Sequence, residues 1–209
     1  MATDGAKKKS VSKRRNRPSP RERLLASATH LFATEGIRVI GIDRILREAD
    51  VAKASLYSLF GSKDNLVIAY IEQLDAQARE KWTTRTAEMT DPMDKILAFF
   101  DIVIEEEPEK NFRGSYFLNA ATEYPRPDTE SETGIVEACL EHRRWMHQTM
   151  TSLLNEKNGY PSATQSNQLL IFLDGGQAGA RLLRDSAPLY TARDLARQML
   201  NAPPADYSI

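Results

Sequence analysis

The chain is expected to be all-α, and three observations carry that expectation. Apolar residues recur at three- and four-residue spacing through most of its 209 residues. No stretch alternates apolar and polar side chains as a half-buried strand would, and no internal repeat is visible. The breaks between helical runs are spelled in turn chemistry: DP, EEPEKNFRG, YPRPD, NGYP and SAP.

The elements follow in order. Residues 1–18 carry Lys7, Lys8, Lys9, Lys13, Arg14, Arg15 and Arg17 with almost nothing apolar, which predicts a disordered basic arm. Order is expected to begin at SPRE, where Ser19 can cap, Pro20 suits the first helical position and Glu22 closes a capping box. Leu24, Leu25, Ala28, Leu31 and Phe32 form the apolar side of this first helix, and Gly36 is expected to end it as a left-handed cap. A second helix spans about Ile42 to Ala49, and Asp50-Val51 makes a turn. In the third, short helix, Val51, Leu56 and Phe60 face inward and leave Lys53, Ala54, Ser55, Tyr57 and Ser58 nearer solvent. Three helices around one apolar interior make a small bundle.

Ser62 can cap a long fourth helix with Asp64 in its first turn and Leu66, Tyr70, Leu74, Ala78 and Trp82 along its apolar side. Further helices are expected over Pro92–Glu107, Tyr116–Glu123, Glu130–Asn155, Ala163–Asp185 and Thr191–Asn201. The expected organisation is therefore an arm (1–18), a helix-turn-helix domain (19–66) and a larger helical domain (67–209).

Charge sharpens the division. The net charge of −1 is the sum of unlike ends: residues 1–66 hold 14 basic and 7 acidic side chains, a net of +7, and residues 67–209 carry −8. A basic end of this kind suits a polyanion, with a solubilising tail as the plainer alternative. No apolar run is long enough to span a membrane, and no apolar h-region follows the basic N-terminus. Cys139 is the single cysteine, so no intrachain disulfide can form, in keeping with a reducing cytoplasm.

A short helix, a tight turn and a second short helix form the arrangement whose second helix enters the DNA major groove, about 12 Å wide. On this reading Lys53 suits guanine or a phosphate, Ser55 and Ser58 either, and the Ala54 methyl a thymine methyl. Tyr57, Lys63 and Arg44 have the reach for phosphates, and Arg14, Arg15 and Arg17 extend the basic surface. The run GIDRILREADVAKASLYSLFGSKDNLV resembles the DNA-binding segment of the TetR family of bacterial transcription regulators. Ala49-Asp50-Val51, Leu56-Tyr57, Phe60, Ser62-Lys63-Asp64 and Leu66 match its pattern, and FRGSYFLNAATEYPRPD is similar to the middle of the ligand domain in one subgroup. Three positions depart: Asp50 replaces the usual turn glycine, Leu59 a common histidine, and Gly41 a capping Thr or Ser.

The resemblance implies a C-terminal domain with a small-molecule pocket and a homodimer interface, and a palindromic operator released when an effector binds. For the pocket, Trp82, Phe99, Phe100, Ile104, Phe112 and Tyr116 offer apolar bulk, joined by Phe117, Trp145 and Met146. Asn119 and Glu123, four apart, offer polar points, so the effector is expected to be apolar or aromatic. Ordinary helical core explains the same residues. For the interface, Leu169, Leu170, Phe172, Leu173, Gly176, Gly179, Ala180 and Leu183 fall in a glycine-rich helix, where each glycine costs about 1 kcal/mol and so implies close backbone approach.

Enzyme readings are weak. His142 and His147 are spaced off one helix face, Cys139 reads as buried filler, and no nucleophile elbow, P-loop or dinucleotide fingerprint appears. No metal or cofactor is expected. The expectation is a DNA-binding regulator, with a sequence-nonspecific architectural protein, or a small helical enzyme, as alternatives.

Overall fold

A computed structural model describes residues 17–202 and contains, among them, nine α-helices and no strand. These are α1 (Pro20–Glu35), α2 (Ile42–Ala49), α3 (Lys53–Phe60), α4 (Lys63–Thr86) and α5 (Pro92–Glu109). The remainder are α6 (Tyr116–Glu123), α7 (Glu130–Asn158), α8 (Ala163–Leu183) and α9 (Ala187–Asn201). The chain divides into two compact units after Tyr70, inside α4. The arm, including Arg14 and Arg15, lies outside the described residues save for Arg17 and Pro18.

The first unit opens as its residues dictate. Ser19 Oγ accepts from the Glu22 amide, and the Glu22 carboxylate accepts from the Ser19 amide, at 3.2 and 2.7 Å. Two orphan donors of α1 are thereby satisfied at once. Gly36 closes α1 at φ 106°, but its ψ of 161° is extended, so it is not the left-handed cap expected. Leu24, Leu31, Ile40, Ile45, Leu56 and Leu66 are fully buried between the helices, and Phe32 meets Tyr70 edge-on at 5.5 Å. Val51 is only half-buried.

In the second unit several helix ends move. α5 runs on through Pro108, because Lys110 donates to the Glu106 carbonyl (3.0 Å) and Phe112 to that of Glu107 (2.8 Å), closing the turn to which proline cannot donate. α7 continues past Asn155 until Gly159, left-handed at φ 81°, supplies a stop. α8 ends at Leu183 on a left-handed Arg184. The SAP break is a helix start: the Asp185 carboxylate accepts from the Ala187 amide at 2.7 Å, and Pro188 sits in the first turn of α9.

The core of this unit joins Ile96, Leu97 and Phe100 of α5, Met150 and Leu154 of α7, Leu169, Leu170 and Leu173 of α8, and Ala196 and Leu200 of α9. Gly176 and Gly179 of α8 serve this packing. A Cβ on Gly176 would lie 2.9 Å from Ala192 Cβ, and one on Gly179 2.8 Å from Pro188 Cβ. Close approach is thus real, but its partner is α9 of the same chain. That corrects the dimer reading of Leu169, Leu170, Leu173, Gly176 and Ala180, all buried within the unit, with Phe172 packed at the edge of the same core. Among the described residues no helix is long and apolar enough to cross a membrane.

Candidate nucleic-acid interface and ligand cavity

The turn between α2 and α3 is held by basic residues of the N-terminal segment. Asp50 is left-handed at φ 51°, ψ 54°, a conformation that costs a side chain something and that Asx residues tolerate best. Arg23 Nη1 donates to the carbonyls of Ala49 (2.9 Å) and Asp50 (2.8 Å), ending α2 where its own donors run out. Arg17 pairs with the Asp50 carboxylate and holds its pKa below the usual range. Arg17, expected to meet DNA, therefore has a partner in the turn.

From this turn α3 buries Leu56 and Phe60 and presents Lys53, Ala54, Tyr57 and Ser58 outward, with Ser55 half-buried between the two faces. Lys53 Nζ lies 3.6 Å from Asp43 Oδ1, a loose pair between two exposed side chains. Arg44 is committed elsewhere: its guanidinium grips Glu35 with two bonds, of 2.6 and 2.5 Å. Lys63 is likewise drawn inward, donating to the Ile37 carbonyl at 2.7 Å with its ammonium 5.9 Å from the Phe32 ring centre. Both intramolecular bonds share a cause. A long cation beside an unsatisfied carbonyl or carboxylate of its own fold bonds there before any partner arrives. The sequence reading passed over Asn65, whose amide donates to the Phe60 carbonyl (2.8 Å) while its backbone N–H reaches Ser62 Oγ (3.0 Å), fastening α3 to the start of α4.

The second unit holds a cavity of about 400 Å³. Trp82 and Phe99 stack at 5.2 Å, and Trp145 meets both edge-on at 6.3 and 5.5 Å. These rings line the cavity with Tyr116, Phe117 and Met146. The remaining expected pocket residues stand apart from it. Phe100 is fully buried in the core, and Ile104 packs with Ala180 and Leu189, with Phe112 against that group. Asn119 is consumed by the Arg113 carbonyl (2.9 Å) and the Arg181 guanidinium, and Glu123 is not among the lining residues. Helical spacing cannot distinguish an apolar side chain facing a void from one facing another helix.

The sequence reading also missed the polar wall. His142, weighed only as a metal ligand, lines the cavity and stacks flat on Phe117 at 3.6 Å, with Nδ1 held by Asp75 Oδ1 at 2.8 Å. Burial pulls the imidazole pKa below 6.5 and outweighs the opposing pull of Asp75, so the ring is neutral near pH 7. Cys139 lines the same wall, and burial pushes its thiol up to about 11, the state of an unreactive filler. Gln177, Arg143 and Asp174 complete the wall. Of these only the proximity of His142 to Trp145 in one helix was legible in advance.

The model of the bacterial regulatory proteins, tetR family, matches residues 24–70. The HTH-type transcriptional regulator LmrA of Bacillus subtilis is 35% identical over 80 residues, covering 38% of this chain and 43% of its own. The HTH-type transcriptional activator FasR of Mycolicibacterium smegmatis is 27% identical over 146 residues, covering 66% and 64%. The chain thus spans less than two thirds of either curated relative. Among solved structures, E. coli NemR in its reduced form shares the fold, with a TM-score of 0.74 at 22% identity over 88% of this chain and 99% of that one. A TetR-family transcriptional regulator from Streptomyces coelicolor reaches a TM-score of 0.78 at 34% identity, covering 87% of this chain and 94% of its own. An all-α fold, an N-terminal helix-turn-helix and a likeness of that extent place this chain in the TetR family of transcriptional regulators.

Proposed function

We propose that this protein is a homodimeric, effector-responsive transcriptional regulator, most simply a repressor, that reads a palindromic operator with α3. The observation that carries the reading is the two-sided α3: Leu56 and Phe60 seal it to the unit while Lys53, Ala54, Tyr57 and Ser58 stand exposed along one edge. A nonspecific binder needs no such edge. Lys53 and Ser55 are the proposed base readers, and Tyr57 and Ser58 the phosphate contacts.

The dimer reading moves to what α8 and α9 leave uncovered. Ile171, Leu182 and Leu183 are 61%, 83% and 65% exposed on α8, with Tyr190 and Leu195 on α9 also exposed. Gly175 and Ala178 lie between them on the open side of α8, where a Cβ on Gly175 would meet nothing. Apolar side chains flanking small ones form a face that a second copy can cover. Leu183 is the one residue of the expected interface that stays fully available.

Selection of bound sequences from a random pool tests the whole reading. An inverted repeat is the expected result, with half-sites set by two recognition helices roughly 34–36 Å apart. A selected set without dyad symmetry would sink the dimeric reading. The effector is proposed to occupy the aromatic cavity, and reciprocity demands that it and the operator weaken each other by one common factor, about 5–150-fold for a coupling of about 1–3 kcal/mol.

A further inference from the structure

The cavity's cations are already paired. Lys81 pairs with Glu106. Lys110 Nζ lies 2.9 Å from Glu107 Oε1 and 3.4 Å from Glu106 Oε2, and Arg143 Nη1 donates to Asp174 Oδ2 at 2.7 Å. Each cation on the lining therefore has a carboxylate of this chain beside it, and a charged guest would have to break a pair to gain one. Trp82 is satisfied too, since its indole N–H donates to the Lys95 carbonyl at 3.1 Å, so it offers the cavity only ring surface.

Gln77, Ser115 and the Tyr116 hydroxyl also stand on the lining, but two neutral polar residues of it are buried. Gln177 is 7% exposed, lines the cavity, and its amide has no hydrogen-bond partner among the described residues. An amide on this lining bonds to whatever fills the cavity, water or a guest. His142, also 7% exposed, donates from Nδ1 to Asp75, which fixes the tautomer and leaves Nε2 as a bare acceptor. The Phe117 ring stacks on His142, and Trp145 lies tilted beside it at 5.4 Å.

We propose that this cavity takes an uncharged, largely aromatic molecule bearing an O–H or N–H donor, recognised by His142 Nε2 and the Gln177 amide. The inference rests on the effector-cavity reading for its regulatory meaning, though not for its chemistry. Stacking on the aromatic wall supplies affinity for the flat apolar body. The two neutral groups then select among such bodies, because a guest that lacks the donor displaces water from them without replacing its hydrogen bond.

Equilibrium dialysis at pH 7 of the full chain with 1-naphthol, its methyl ether and 1-naphthoate tests this. The expected result is 1-naphthol bound about tenfold more tightly than the ether, the worth of one neutral hydrogen bond, with naphthoate weaker than naphthol. Gln177→Leu, which preserves bulk, or His142→Phe, which preserves the stack on Phe117, should reduce the naphthol preference severalfold. Equal binding of naphthol and its ether, naphthoate binding as tightly as naphthol, failure of all three to bind, or a preference unchanged in both variants would each overturn the proposal. Operator affinity measured with saturating naphthol separates the two readings. Selective binding that leaves operator affinity unchanged removes the effector role and upholds the cavity's chemistry.

Discussion

The reading edge of α3 and the aromatic cavity solve opposite problems. The edge must keep polar groups open to a partner, so the backbone at its two ends is satisfied by other side chains: Arg23 on the carbonyls of Ala49 and Asp50, Asn65 on that of Phe60. The cavity must keep apolar surface from collapsing, so rings from α4, α5 and α7 brace one another while ion pairs close the wall. In the first region some long cations, Arg44 and Lys63, are bonded within the fold. In the second, a polar group that lacks such a contact, Gln177, is the proposed recognition point.

If that contrast holds, the largest effect comes from the buried side of α3. Leu56→Ala should cost about 2–5 kcal/mol, the usual penalty for a leucine cavity. Denaturant unfolding should show the loss and operator binding should fall with it. An unchanged operator affinity would mean that α3 is not the reading element.

Next come two adjacent glycines. Gly176→Ala drives a Cβ to within 2.9 Å of Ala192 Cβ and 3.3 Å of Leu189 Cα, so about 1–3 kcal/mol of overpacking strain is expected. Gly175→Ala meets open space and should raise helix stability by up to about 1 kcal/mol. Its second readout is association: if the exposed face of α8 is the dimer surface, sedimentation should detect a shift in dimerisation for Gly175→Ala. Identical melting behaviour in the two variants would refute the assignment of Gly176 to the α8–α9 contact.

A smaller effect separates Lys53 from Lys63. Lys53→Ala should change which bases are preferred, by about 1–3 kcal/mol at the affected position. Lys63→Ala should leave the selected sequence intact and lower the stability of the first unit by about 1–3 kcal/mol, through loss of its bond to the Ile37 carbonyl. A shallower salt dependence with full stability would return Lys63 to the phosphate role.

The gentlest test is pH. His142 has its folded pKa lowered, so the folded state binds fewer protons than the unfolded one just below pH 6.5. Its contribution to stability is present above that pH and is lost as the pH falls through the lowered folded value. His142→Phe should flatten the stability curve in this window. A slope that persists in the variant would assign it to other groups.

Much of the helical order was written locally. Ser19, Pro20 and Glu22 start α1 by side-chain geometry within four residues, and Asp91 caps α5 by accepting from the Met93 amide. Asp50 held the turn left-handed although it stands where glycine is usual in the family it resembles. Helix ends slipped where the stop depended on a later residue: Gly159 rather than Asn155, and Asp185 with Pro188 rather than Thr191. Apolar periodicity identified candidates for the cavity but could not separate Phe99, on its wall, from Phe100, one residue on and fully buried.

By itself, then, the sequence determined the class, the order of the helices, the α2–α3 turn and the polar edge of α3. These depend mainly on dihedral preferences and hydrogen bonds between residues close in the chain, although the turn also takes Arg23 from α1. Only the tertiary structure decided which cations remain available, which glycines face a helix of their own chain, and which aromatic rings enclose space. Those outcomes depend on groups far apart in sequence: Arg143 meets Asp174, His142 meets Asp75, and Gly176 meets Ala192. Periodicity specifies a helix face, but the neighbour across that face is fixed only when the helices pack.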